Sequence, residues 1–133
     1  MFPRVRDIID TLGATLRVSV DAHPGGALIV LEDPAGPEDE RIMLDPYGTE
    51  LLGGYIMSAR LALPSGLPDE YSEGPFSSRF QLVCEPAPRI IITQQHGRRF
   101  TIAAPFWDKL YAELCLVIAH SRSLSRSLEM RLH

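Results

Sequence analysis

The chain has 133 residues, of which 45% are hydrophobic and 23% charged, with a formal net charge of -4 and a pI near 5.5. That is enough chain and enough apolar material for one domain with a real core, and the balance argues against a disordered tail, a disulfide-knot scaffold and a membrane protein. Charge is divided unevenly: residues 1–73 carry 5 Lys/Arg against 13 Asp/Glu, and residues 74–133 carry 8 against 4, so an acidic half precedes a basic one.

Val5, Ile8, Ile9 and Leu12 recur at helical spacing before Gly13, which predicts a short amphipathic N-terminal helix within Phe2 to Leu16. Apolar and polar residues then alternate from Leu16 to Asp21, as a strand with one buried face requires. A turn at His23-Pro24-Gly25-Gly26 leads to a second strand, Ala27 to Leu31. An acidic loop rich in breakers, Asp33 to Glu40, leads to a third, Arg41 to Leu44. Asp45 in the N-cap position and Pro46 at the first helical position open a helix whose apolar stripe is Leu51, Leu52, Tyr55, Ile56 and Ala59.

Leu63 to Ser77 is rich in proline and glycine and reads as a connector without strands. The order then returns: strands Arg79 to Cys84, Arg89 to Gln95 and Arg98 to Ala103, with a tight turn at His96-Gly97, and a second helix opening at Pro105. Arg17 to Val20 matches Arg79 to Leu82, Leu28 to Leu31 matches Ile90 to Thr93, and Arg41 to Leu44 matches Arg99 to Ile102. Pro46-Tyr47 with Leu51 matches Pro105-Phe106 with Leu110 after a one-residue slip. The expected fold is therefore α+β: a duplicated β-β-β-α unit with antiparallel sheets and helices packed on one face. Within this single domain the first repeat spans 16–61, the connector 62–78, the second repeat 79–121 and a C-terminal helix extension 122–133.

One unit is too small to bury its sheet alone, so the two should either pair their sheets or share a core, with helices on one face and another sheet face left open. Alternation puts Arg17, Ser19, Arg79, Gln81, Arg89, Thr93, Gln95, Arg99 and Thr101 on that face. The second helix outlasts the repeat, and Leu110, Leu114, Val117, Ser121, Leu124 and Leu128 follow a 4-3-4-3-4 spacing that predicts a homodimer seam at Leu114, Val117, Ser121, Leu124 and Leu128.

No catalytic signature is present. His23, His96, His120 and His133 are dispersed without metal-ligand spacing, and no nucleophile elbow or phosphate loop occurs. The expectation is a non-enzyme without metal or cofactor. Cys84 and Cys115 read as two buried thiols, Trp107 as a fastener of helix to sheet, and the absence of a signal-like or membrane-spanning segment points to a cytoplasmic protein with no membrane partner.

Strands followed by a helix that opens at proline, used twice over residues 16–120, resemble the repeats of Whirly and PUR-type single-stranded nucleic-acid-binding proteins. The stretch Gly97-Arg-Arg-Phe-Thr-Ile-Ala-Ala-Pro-Phe-Trp-Asp-Lys-Leu110 is also similar to the last strand and helix start of the positive-cofactor type of transcriptional coactivator. That resemblance implies single-stranded DNA or RNA binding in transcription regulation, with Arg79, Arg89, Arg98 and Arg99 on phosphates and Gln81, Gln95 and an aromatic on bases. A second resemblance, in size, acidity and element order, is to the type III secretion chaperones, dimers that present sheet edges and apolar grooves to an extended client. It implies an acidic protein-binding adaptor.

Overall fold

The computed structural model describes the backbone of residues 4–23 and 26–132, and the side chains of these except 22, 23, 26, 39, 121 and 123–132. It is α+β. Strands β1 (Arg4–Ile9), β2 (Thr15–His23), β3 (Gly26–Glu32) and β4 (Ile42–Leu44) form one four-stranded antiparallel meander, followed by helix α1 (Pro46–Ala62). Strands β5 (Glu70–Ser72), β6 (Ser78–Val83), β7 (Arg89–Gln94) and β8 (Arg99–Ala103) form a second, followed by a 3-10 turn over Ala104–Phe106 and helix α2 (Trp107–Leu132).

Each unit thus has four strands, not three. Arg4–Ile9 is a strand rather than the expected helix, pairing with β2 in the register Asp7↔Arg17 and Ile8↔Leu16. A helix would have aligned Val5, Ile8, Ile9 and Leu12 on one buried stripe. In the strand, Ile8 alone faces the core, and Val5 and Ile9 stand more than half exposed on the other side. Asp10 sets the turn into β2, its Oδ1 accepting from the backbone N–H groups of Leu12 and Ala14 at 2.9 Å, with Gly13 at φ +88°. In the second unit the extra strand is the three-residue β5, inside the stretch read as connector. It pairs as Tyr71↔Arg79 and Ser72↔Ser78.

The two units bury matching positions. Ile42, Leu44, Leu52, Ile56 and Ala59 fall opposite Phe100, Ile102, Leu110, Leu114 and Val117 at one constant interval, and all are in the core. No slip between last strand and helix is needed, because Leu52, and not Leu51, is the partner of Leu110. In the middle strand Ile29 and Leu31 correspond to Ile90 and Ile92, one residue off the sequence match, as the pairings Val18↔Leu31 and Phe80↔Ile92 show.

Each helix packs across both units, and α1 touches β3 and β4 as well as β5 and β6. Tyr55 of α1 reaches the second sheet: its ring lies 6.1 Å from that of Phe80, and its hydroxyl accepts from Leu82 N–H at 2.9 Å and donates to the Pro68 carbonyl. Burial pushes the Tyr55 phenol up from its ordinary pKa, so it stays a donor. In return α2 reaches the first sheet: Arg4 of β1 pairs with Glu113 at 2.9 Å, and α2 packs against β3. One core cluster therefore joins the inner faces of both sheets to both helices. Asp45 caps α1 by accepting from Gly48 N–H at 2.7 Å, and buried Trp107 fastens α2 to the second sheet by donating to the Ile102 carbonyl at 3.0 Å. Both cysteines are free thiols, but Cys115 is exposed on α2 and Cys84 half-buried. No described helix is long and apolar enough to cross a membrane.

Candidate nucleic-acid interface

Alternation along β6, β7 and β8 sends Phe80, Leu82, Ile90, Ile92, Phe100 and Ile102 inward and turns the residues between them outward. The register then fixes what lies beside what. One row across the second sheet reads Tyr71, Arg79, Thr93, Arg99; the next reads Gln81, Ile91, Thr101; the last places Val83 beside Arg89 and Ala103. Tyr71 is 63% exposed, and Arg79, Arg99 and Thr101 are exposed as well. The face therefore offers an aromatic ring, three guanidinium groups and several short hydrogen-bonding side chains on a surface backed by β-sheet.

The three arginines differ in how far they are engaged. Arg79 donates from Nε and Nη2 to Asp69 Oδ2 at 2.8 and 2.6 Å, and this carboxylate holds the guanidinium still more firmly in its charged form. Arg89 folds onto its own hairpin turn, donating from Nη1 to the carbonyls of Glu85 and Ala87 at 3.0 and 3.2 Å. Arg99 makes no hydrogen bond or ion pair among the described residues.

Gln95 and Arg98 leave this face and sit on the turn between β7 and β8. There Arg98 N–H bonds to the Gln95 carbonyl, and His96 and Gly97 both take positive φ, 63° and 73°, the geometry of a tight hairpin turn that glycine makes easy at the second position. Beside the turn lies a hollow of about 300 Å³ lined by Met43, Phe76, Ser77, Gln95, His96 and Arg98. Arg98 donates to the Arg41 carbonyl at 3.3 Å. The side-chain amide of Gln94 ties the sheets together here: its Nε2 donates to the Met43 carbonyl at 2.6 Å and to Ser78 Oγ at 2.9 Å, while its Oε1 accepts from Met43 N–H.

The open face of the first sheet shares two of these features, a paired arginine and buried apolar residues in a middle strand, just as Ile91 is buried in the second sheet. Arg17 is held by Asp7 at 2.9 Å, which lowers the carboxyl pKa, and Val30 and Leu28 are buried on the outward side of β3. Arg17 and Ser19 lie on this face, with Arg17 the one outward arginine of its strands among the described residues, whereas the second sheet's face carries Arg79, Arg89 and Arg99. Of the expected dimer seam, Leu114 and Val117 are buried within a single chain. The side chains of Ser121, Leu124 and Leu128 lie outside the described residues. Among the described residues no group of three His, Cys, Asp or Glu is placed to hold a metal ion.

Sequence reasoning put Tyr71 in the connector and did not place it on the face, because a three-residue strand is too short to show alternation. It also missed Asp69, whose tie to Arg79 depends on that strand. No protein-family model matches the chain, and a search of curated proteins finds no relative.

Proposed function

We propose that the chain is a non-catalytic binding module, built from two copies of a β-β-β-β-α unit, that takes single-stranded nucleic acid across the outward face of its second sheet. The observation that carries this reading is the row Tyr71, Arg79, Thr93, Arg99, with Gln81, Thr101 and Arg89 in the adjoining rows. Guanidinium groups meet phosphates, an exposed ring stacks on a base, and hydroxyl and amide groups meet base edges. Four strands and a helix in each unit is also the count found in Whirly and PUR-type repeats, with arginine here taking the place of lysine. The resemblance to type III secretion chaperones loses its N-terminal helix, since residues 4–9 are a strand, and no other observation favours it.

The test is fluorescence anisotropy of a labelled 20-nucleotide single strand over a salt series. Binding is expected at 50 mM salt and should weaken linearly in log K against log salt, with a slope of about -0.7 per phosphate contact. No binding at 50 mM salt contradicts the proposal.

A further inference from the structure

We propose that the cleft along the free edge of β8 seats one base of a strand lying on the second sheet, and that it favours cytosine, with its exocyclic amine, over thymine. This rests on the function proposed above. The cleft has a volume of about 480 Å³, and its lining includes Thr15, Leu16, Asp33, Glu40, Arg99 and Phe106. Strand β8 is the last in its sheet, so its outer edge has no strand partner, and the 3-10 turn Glu38–Glu40 of the first unit stands across from it. Arg99 and Thr101 belong both to the outward face and to the cleft lining, so a strand crossing the face reaches the cleft without a gap.

The chemistry of the walls decides what enters. Asp33, which lines the cleft, accepts from Ala35 N–H at 2.9 Å through Oδ1, and its Oδ2 has no hydrogen-bond partner among the described residues. Among the described residues neither Asp33 nor Glu40 forms an ion pair. Two carboxylates repel a phosphate, so the backbone stays with the arginines on the face and the base turns inward over the apolar floor of Leu16, Phe100 and Phe106. A carboxylate only accepts hydrogen bonds. Cytosine offers the N4 amine to it, whereas thymine presents a carbonyl oxygen at that position and flanks its one N–H with two carbonyls. The two rings are alike in size, so stacking does not separate them.

The experiment measures binding of 20-nucleotide oligo(dC) and oligo(dT) at one salt concentration to the wild-type chain and to the Asp33→Asn/Glu40→Gln variant. The wild type is expected to prefer oligo(dC) by about tenfold, the lower range of discrimination for a good base contact. In the variant the amides donate as well as accept, so the preference should fall below about twofold while oligo(dT) affinity holds or rises. Both positions are exposed, and an unchanged amide spectrum confirms that the variant is folded. Equal wild-type binding of the two oligomers, or a preference that survives in the variant, overturns this inference and leaves the proposed function standing. Failure of both oligomers to bind overturns the proposed function and the inference with it.

Discussion

Leu114→Ala is expected to destabilise the protein by about 2–5 kcal/mol, the range for truncating a fully buried leucine, and to do so in a single transition that unfolds both sheets together. Leu114 belongs to the second unit by sequence, yet it lies in the one cluster that holds Val18, Ile29 and Leu31 of the first sheet beside Phe80 and Ile92 of the second. Because α1 is fixed to the second sheet through Tyr55, and α2 to the first through Arg4 and Glu113, neither unit keeps its cover if the other opens. Urea unfolding should therefore give the same midpoint by Trp107 fluorescence and by the amide peak intensities of β2 and β3. Leu116→Ala, at a position 54% exposed on the same helix, should change stability by no more than about 0.5 kcal/mol. Two separated midpoints in the Leu114 variant would mean that the units fold independently, and the shared core would have to be abandoned.

The second large effect concerns affinity. Arg89→Ala combined with Arg99→Ala removes two guanidinium groups from the second sheet without touching the core, and the slope of log K against log salt should become shallower by about 1.4, or about 0.7 for each lost contact with a single strand. At low salt this removes most of the binding. The local geometry gives a companion prediction with the opposite sign. Asp69 neutralises Arg79 through two short hydrogen bonds, so Asp69→Asn should release that guanidinium to phosphate and strengthen binding. A structural role for these arginines, as a solvated face paired with acidic residues, predicts only the small change that net charge brings, the same as for a charge removed elsewhere on the surface. Loss in the first and gain in the second are the result expected of a strand lying on this face when Arg60→Ala, which removes a like charge from α1, leaves binding within about twofold.

Much of this was legible in the sequence, for reasons that particular elements make plain. Strands β2, β6 and β8 alternate apolar and polar residues over four to six positions, which fixes their type and the side each residue takes, whereas β3 and β7 are continuous apolar runs whose facing is set by pairing with their neighbours. Arg79, Gln81, Arg89, Thr93, Arg99 and Thr101 accordingly lie on the outward side, as alternation places them. The start of α1 was readable from Asp45 and Pro46 because the cap is a local interaction. Strand β1 was not, since Val5, Ile8, Ile9 and Leu12 satisfy helical spacing while pairing with β2 decides the outcome. Strand β5 was hidden by its length and by the prolines and glycines around it. The reach of each helix into the other unit had no local signal at all: Tyr55 reads as one more apolar position on α1, and only the distant Leu82 N–H and Pro68 carbonyl give its hydroxyl a purpose. The same holds for the cleft, whose walls come from the acidic loop of one unit and the edge strand of the other.

At 14.8 kDa the chain is small enough for residue-by-residue amide spectra, and titrating it with a single-stranded oligonucleotide tests the central claim most directly. The amide resonances of Tyr71, Arg79, Gln81, Ile91, Thr93, Arg99 and Thr101 should move together along one binding curve, while those of Gly53, Gly54, Cys115 and Ala119 in the groove between the helices stay in place. Shifts confined to the helices or to the first sheet, with the second sheet silent, would contradict the account.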